Sequence, residues 1–177
     1  MKIVTRLLTP NEYSRPRTKL KGVKAIVLHW VANPGTSAEG NWNYFEKHPD
    51  KAYGSAHFII DSTGLILWAI PLNEVAHHAG PTPDTTPQAR KWLGDYPNGC
   101  TIGIEVCHLD WEGTMTDGCI EAAHQLCMLL CTAFKLDPME SIVRHYDVTG
   151  KECPKLYVDH HDELEKFRYE VALRMGG

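Results

Sequence analysis

Two hydrophobic periods alternate along this chain. Residues 23–30, Val23-Lys24-Ala25-Ile26-Val27-Leu28-His29-Trp30, are mostly apolar and rich in β-branched side chains. That pattern predicts a strand buried on both faces of a sheet. Asn33-Pro34-Gly35 then reads as a turn. Thr36 followed by Glu39 fits a capping box, with Trp42 and Phe45 carrying a helix to about His48. The apolar runs 55–61 and 64–70 flank Ser62-Thr63 and predict a hairpin. Residues 75–79 add a short strand-like piece, and residues 101–107 a further strand. From Asp117 onward, Ile120, Ala123, His124, Cys127, Leu130, Cys131 and Phe134 recur at helical spacing, with Leu126 and Leu129 widening the stripe. Ile142-Val143 is short and extended. A last helix is expected from near Asp159, with Leu164, Phe167, Val171 and Met175 on one face.

Less regular segments lie between these. Residues 1–22, with Pro10, Asn11, Ser14 and Pro16, read as an irregular arm. Residues 81–99 carry four prolines and read as a loop, with two helical turns available at 87–93. Strands alternating with helices, plus one hairpin, imply an α/β fold: a single domain with a central mixed β-sheet flanked by helices on both faces. No linker divides the chain, so residues 1–177 are expected to be one domain with its core at about 20–172.

Composition narrows the partners more than the fold. The 177 residues are enough to bury roughly 70% of the unfolded surface. A formal charge of -4 offers no electrostatic reason to expect nucleic acid or an anionic membrane. No apolar stretch approaches the ~20 residues of a membrane span. The first ten residues lack the apolar core of a secretory signal, so work outside the cell would rely on another export route or on a signal already removed. The six cysteines lack the compact spacing of a disulfide scaffold; five read as small core residues and Cys153 as chemical.

The chemistry concentrates at residues 144–154, where His145 and Cys153 sit eight positions apart with Lys151 between them and Gly150 and Pro154 as turn residues. Imidazole and thiolate are preferred zinc ligands. His29, at the end of the first core strand, supplies the third candidate, because sites in open α/β sheets form beyond the carboxyl ends of strands. Alone, it would better suit a core histidine held by backbone; beside His145 and Cys153 the ligand reading prevails. Two neutral imidazoles and one thiolate leave Zn2+ with net charge near +1 and an open position, the pattern of catalytic zinc. Cys107 and His108 are the rivals for a fourth ligand. Glu105 interrupts an apolar strand and is the candidate general base; the alternative is a solvent-facing strand edge. Lys151 is the candidate oxyanion partner, against an ordinary solvated lysine. His57 and His78 are candidates for substrate contact, with a core histidine as the alternative for His57. His48, His108, His124, His160 and His161 are expected to have no role.

Taken together, Leu28-His29, residues 55–61, Ala76-His77-His78-Ala79-Gly80, Tyr96-Pro97-Asn98, residues 101–105 and the 145–154 loop resemble the zinc-dependent N-acetylmuramoyl-L-alanine amidases of the phage endolysin and bacilli autolysin type. This amidase-2 group shares its fold with peptidoglycan recognition proteins. The resemblance spans about residues 20–172. It implies that His29, His145 and Cys153 bind one zinc and that Glu105 and Lys151 are catalytic. The implied reaction cleaves the amide between the lactyl group of N-acetylmuramic acid and L-alanine of the stem peptide. The partner would be bacterial peptidoglycan, reached at the cell wall by a monomer. Ala56 departs from relatives that carry a catalytic tyrosine before the hairpin histidine, which shifts that duty to Glu105. Lysins of this type usually add a cell-wall-binding module, and the chain is expected to carry none. Two readings compete: a non-catalytic peptidoglycan-binding module of the same fold, and a zinc amidase acting on another amide.

Overall fold

The continuous apolar run of the first core strand becomes β2, Ala25–Trp30, and is paired on both sides, one strand in from an edge of the sheet. The computed structural model describes residues 1–48, 51–80 and 84–176. Its other strands are β1 (Lys2–Thr5), β3 (Phe58–Ile60), β4 (Leu65–Trp68), β5 (Thr101–Val106) and β6 (Ile142–Arg144). The sheet order is β1-β4-β3-β5-β2-β6, and among the strand pairs of the described residues only the β3–β4 hairpin is antiparallel. This is the mixed sheet that the alternation of periods predicts.

Helices cover both faces. The long helix α3 (Asp117–Phe134) and the last helix α7 (His161–Met175) pack on one side against Ile26, Leu28, Ile102, Ile104 and Ile142. On the other side, α1 (Ala38–Lys47) puts Trp42 over Ile59 and Leu67, while α2 (Pro87–Leu93) and α5 (His145–Thr149) meet Ala25, Val27 and Val143. Two short helices, α4 (Pro138–Ser141) and α6 (Lys155–Asp159), complete the second half. Side chains alternate across a strand. The β2–β5 register therefore puts Ala25, Val27 and His29 beside Thr101, Gly103 and Glu105 on a single face.

Several expectations are corrected. Within the predicted arm, residues 2–5 form an edge strand paired in parallel with β4. All four of its residues are exposed, so burial leaves no alternation to detect; backbone pairing holds it. The first helix is capped by Ser37, whose hydroxyl accepts from Gly40 N, while Thr36 donates to Asn33 O and Glu39 pairs with Arg6. Residues 75–79 form no strand; bonds such as Val75 N to Thr18 O hold them. In α3, Leu126 is buried but Leu129 is exposed. The last helix begins at His161, with α6 as a separate turn before it. All six cysteines are free and buried. Residues 81–83 of the proline-rich loop lie outside the described residues; of the remainder, 87–93 form α2 as expected.

Candidate active site

His29, His145 and Cys153 arrive from three elements and converge. His29 is the fifth residue of β2, carried to the carboxyl edge of the sheet. His145 opens α5 directly after β6. Its place is fixed by Asp147, whose Oδ2 accepts from Arg144 N and whose carboxylate also receives the Arg144 guanidinium. The guanidinium also donates to Tyr157 O, which ties this turn to α6. Gly150 ends α5 at φ 78, a left-handed geometry that a side chain would strain. The chain then folds back until Tyr146 N donates to Cys153 O at 2.9 Å. That single backbone bond brings the two ends of the loop together.

The ring nitrogens His29 Nδ1 and His145 Nδ1 are 3.1 Å apart, and Cys153 Sγ lies 3.8 Å from His29 Nδ1. One donor atom from each of the three residues falls within 4.8 Å of the others, and all three residues are buried. Among the described residues this is the one group of such donors, and it could hold a metal ion. Burial lowers the His145 pKa to about 4 and carries that of His29 well down, with neighbouring His145 and His78 adding to the effect. Both rings are therefore neutral and able to offer lone pairs. Burial pushes the Cys153 thiol up to about 12, Glu105 adds to this and Lys151 opposes it. A cation reverses that penalty by displacing the thiol proton.

Glu105 lines the same groove, beside His29 in the register. Burial raises its carboxyl to about 8, and nearby Lys151 pulls the other way. Its Oε2 is buried without a hydrogen-bond partner. An unpaired acidic oxygen at a cavity wall suits a proton acceptor more than a structural link. Lys151 is exposed at the groove wall on the loop between the two ligand candidates.

The rivals and the remaining histidines separate cleanly. Cys107 packs with Ile59 and Trp42, and burial pushes its thiol up to about 12. His108 stacks on Trp30 at 4.4 Å, and its Nδ1 bonds Asp110 O. Neither belongs to the donor group. His57 is 0% exposed; its Nδ1 accepts from Gly103 N and its Nε2 donates to Glu74 O. Substrate contact is therefore corrected for His57 to the alternative, a core histidine held by backbone. His78 borders the groove, but its ring nitrogens face His29 and Thr101, which leaves neither for a substrate.

The groove has a volume of about 630 Å³. Beyond the residues already named, Trp30, Tyr53, His77, Tyr96 and Asn98 wall it. Sequence reasoning assigned no site role to Thr101, Gly103 or Tyr53. The period of two through Thr101, Gly103 and Glu105 was the signal for the first two; Tyr53 had none.

Comparison with known proteins gives this geometry a family. The family described as N-acetylmuramoyl-L-alanine amidase matches residues 19–156. The N-acetylmuramoyl-L-alanine amidase BlyA of Bacillus subtilis (strain 168) is 37% identical over 100% of this chain and 49% of its own length. The amidase CwlL of Bacillus licheniformis is 35% identical over 99% of this chain and 48% of its own. The chain thus spans about half the length of the curated relatives it matches. The solved catalytic domain of XlyA superposes with a TM-score of 0.75 at 26% identity, covering 97% of this chain and 99% of that one.

Proposed function

Because this chain belongs to the N-acetylmuramoyl-L-alanine amidase family, we propose that it hydrolyses bacterial peptidoglycan at the amide joining the N-acetylmuramic acid lactyl group to L-alanine of the stem peptide. The observation that carries the reading is the convergence of three donors beside a buried carboxyl with an unpaired oxygen. His29, His145 and Cys153 would hold one zinc ion. At tetrahedral angles and ordinary zinc bond lengths, two nitrogens stand about 3.3 Å apart and a nitrogen and a sulfur about 3.6 Å. The observed 3.1 Å and 3.8 Å straddle those values. When bound, zinc polarises a carbonyl and lowers the pKa of water.

The chain's own groups do the rest. The groove orients the scissile amide against the donor set, with Trp30, Tyr53 and Tyr96 offering aromatic walls to sugar and peptide. Glu105 takes the proton from the attacking water and returns it to the departing alanine amine. Burial keeps that carboxyl a strong enough base to accept it. The Lys151 ammonium meets the charge that develops on the carbonyl oxygen. All five residues come from one chain, so a monomer suffices, with residues 20–172 as the catalytic unit. The place of action would be the cell wall.

Purified cell walls test this. Incubation with the zinc-loaded protein is expected to expose new alanine amino groups with no new reducing sugar ends. Reducing ends would point to a glycosidase. Wall binding without release would return the non-catalytic module.

A further inference from the structure

His78 and Thr101 form a buried chain of hydrogen bonds behind His29. His29 Nε2 lies 3.0 Å from His78 Nδ1, and His78 Nε2 lies 3.1 Å from Thr101 Oγ1. Thr101 Oγ1 in turn donates to Pro97 O at 2.8 Å. A carbonyl oxygen only accepts, and a threonine hydroxyl has one hydrogen to give. That hydrogen is committed to Pro97, so Thr101 Oγ1 must accept from His78 Nε2–H. His78 is 7% exposed, and its ring has an imidazole and a hydroxyl as partners rather than a carboxylate, so it holds one proton, on Nε2, and keeps a lone pair at Nδ1, which accepts from His29 Nε2–H. By the same logic His29 has its lone pair at Nδ1, the atom that faces His145 and Cys153.

We propose that Thr101 and His78 are positioning residues that hold His29 in the one tautomer able to offer Nδ1 to a metal ion, with the Pro97 carbonyl setting the direction of the chain. Ligating histidines commonly give their other N–H to a carbonyl or carboxylate. Here the acceptor is a second histidine that could point its proton either way, and a backbone oxygen two bonds further back decides which. The arrangement is rigid. Thr101 is 0% exposed, and Asn98 Oδ1 accepts from both His78 N and Ala79 N, at 3.1 and 2.7 Å. Gly103 leaves the space that the His78 ring fills.

The inference rests on zinc occupying the site, and its test separates the two claims. In metal-free protein with isotope-labelled histidine, NMR of the ring nitrogens is expected to find the His29 proton on Nε2; a proton on Nδ1 overturns the proposal whatever the variants do. Thr101→Val keeps the shape and removes the hydroxyl. It is expected to bind zinc at least about 10-fold more weakly in competition with a chromophoric chelator and to populate both His29 tautomers, whereas Thr101→Ser stays within about threefold of the native chain. Native affinity and an unchanged tautomer in Thr101→Val would also overturn it. Failure of the native chain to take up zinc would instead sink the proposed function and leave the tautomer measurement to decide this one.

Discussion

Replacing Gly103 by alanine would drive a methyl carbon into the His78 ring. An ideal Cβ at that position meets Cγ at 2.5 Å, Cδ2 at 2.7 Å and Nδ1 at 2.8 Å. Ordinary carbon contacts begin near 3.5 Å, so the ring must retreat by about 1 Å or the strand must shift. Retreat is resisted at both ends, because Nδ1 and Nε2 are bonded at 3.0 and 3.1 Å. Moving the ring by that amount carries at least one of these bonds past the usual limit. A lost buried hydrogen bond costs about 1 kcal/mol, and overpacking adds about 1–3 kcal/mol. The expected destabilisation of Gly103→Ala is therefore about 3 kcal/mol, or a fall in Tm of about 6–12 °C for a chain of this size. Thermal unfolding of the metal-free protein measures it, and zinc competition should show weaker binding as His29 loses its partner. Gly54→Ala is the control: it lies on the same groove with nothing within 4 Å of its added carbon. A Gly103→Ala protein with native Tm and native zinc affinity would refute the packing argument.

Other consequences follow from the same groups. Glu105→Gln keeps the shape of the side chain but cannot take a proton. Wall hydrolysis should fall by about 10²–10⁴-fold with stoichiometric zinc retained, and activity near the native level would remove Glu105 from the reaction. Cys153→Ser replaces a thiolate with a poor neutral ligand, so bound zinc measured by elemental analysis should be lost along with hydrolysis, and full occupancy would contradict the assignment. His57, pushed down to about 4 by burial, stays neutral in the fold and takes up a proton near pH 6.5 once unfolded. Its contribution to stability is complete above that pH and is lost as pH falls toward 4. Between pH 7 and 5 it should cost the metal-free protein about 2 kcal/mol by urea unfolding. His57→Gln should flatten that slope; an unchanged slope would deny the linkage.

The elements that were legible in the sequence are those whose burial leaves a repeating mark. β2, β5, α3 and α7 each bury a continuous run or a periodic stripe, and each appears where its pattern put it. The edge strand Lys2–Thr5 buries nothing, so backbone pairing alone made it and no pattern announced it. The shift of the first cap from Thr36 to Ser37 is a local competition: Thr36 spends its hydroxyl on Asn33, and Ser37 takes the helix end.

For the site, residue type and position along the chain singled out His29, His145 and Cys153, because few chemistries bring two imidazoles and a thiol to the ends of strands and loops. The partners of those residues were another matter. Whether Glu105 faced solvent or a cavity depended on what lay across the sheet. Whether His57 and His78 met substrate or backbone depended on contacts with Gly103 and Thr101, 46 and 23 positions away. Spacing along a chain constrains which side chains share a face. Desolvation, proton placement and hydrogen-bond direction are set by neighbours brought in from far along the chain, and only the folded register supplies those.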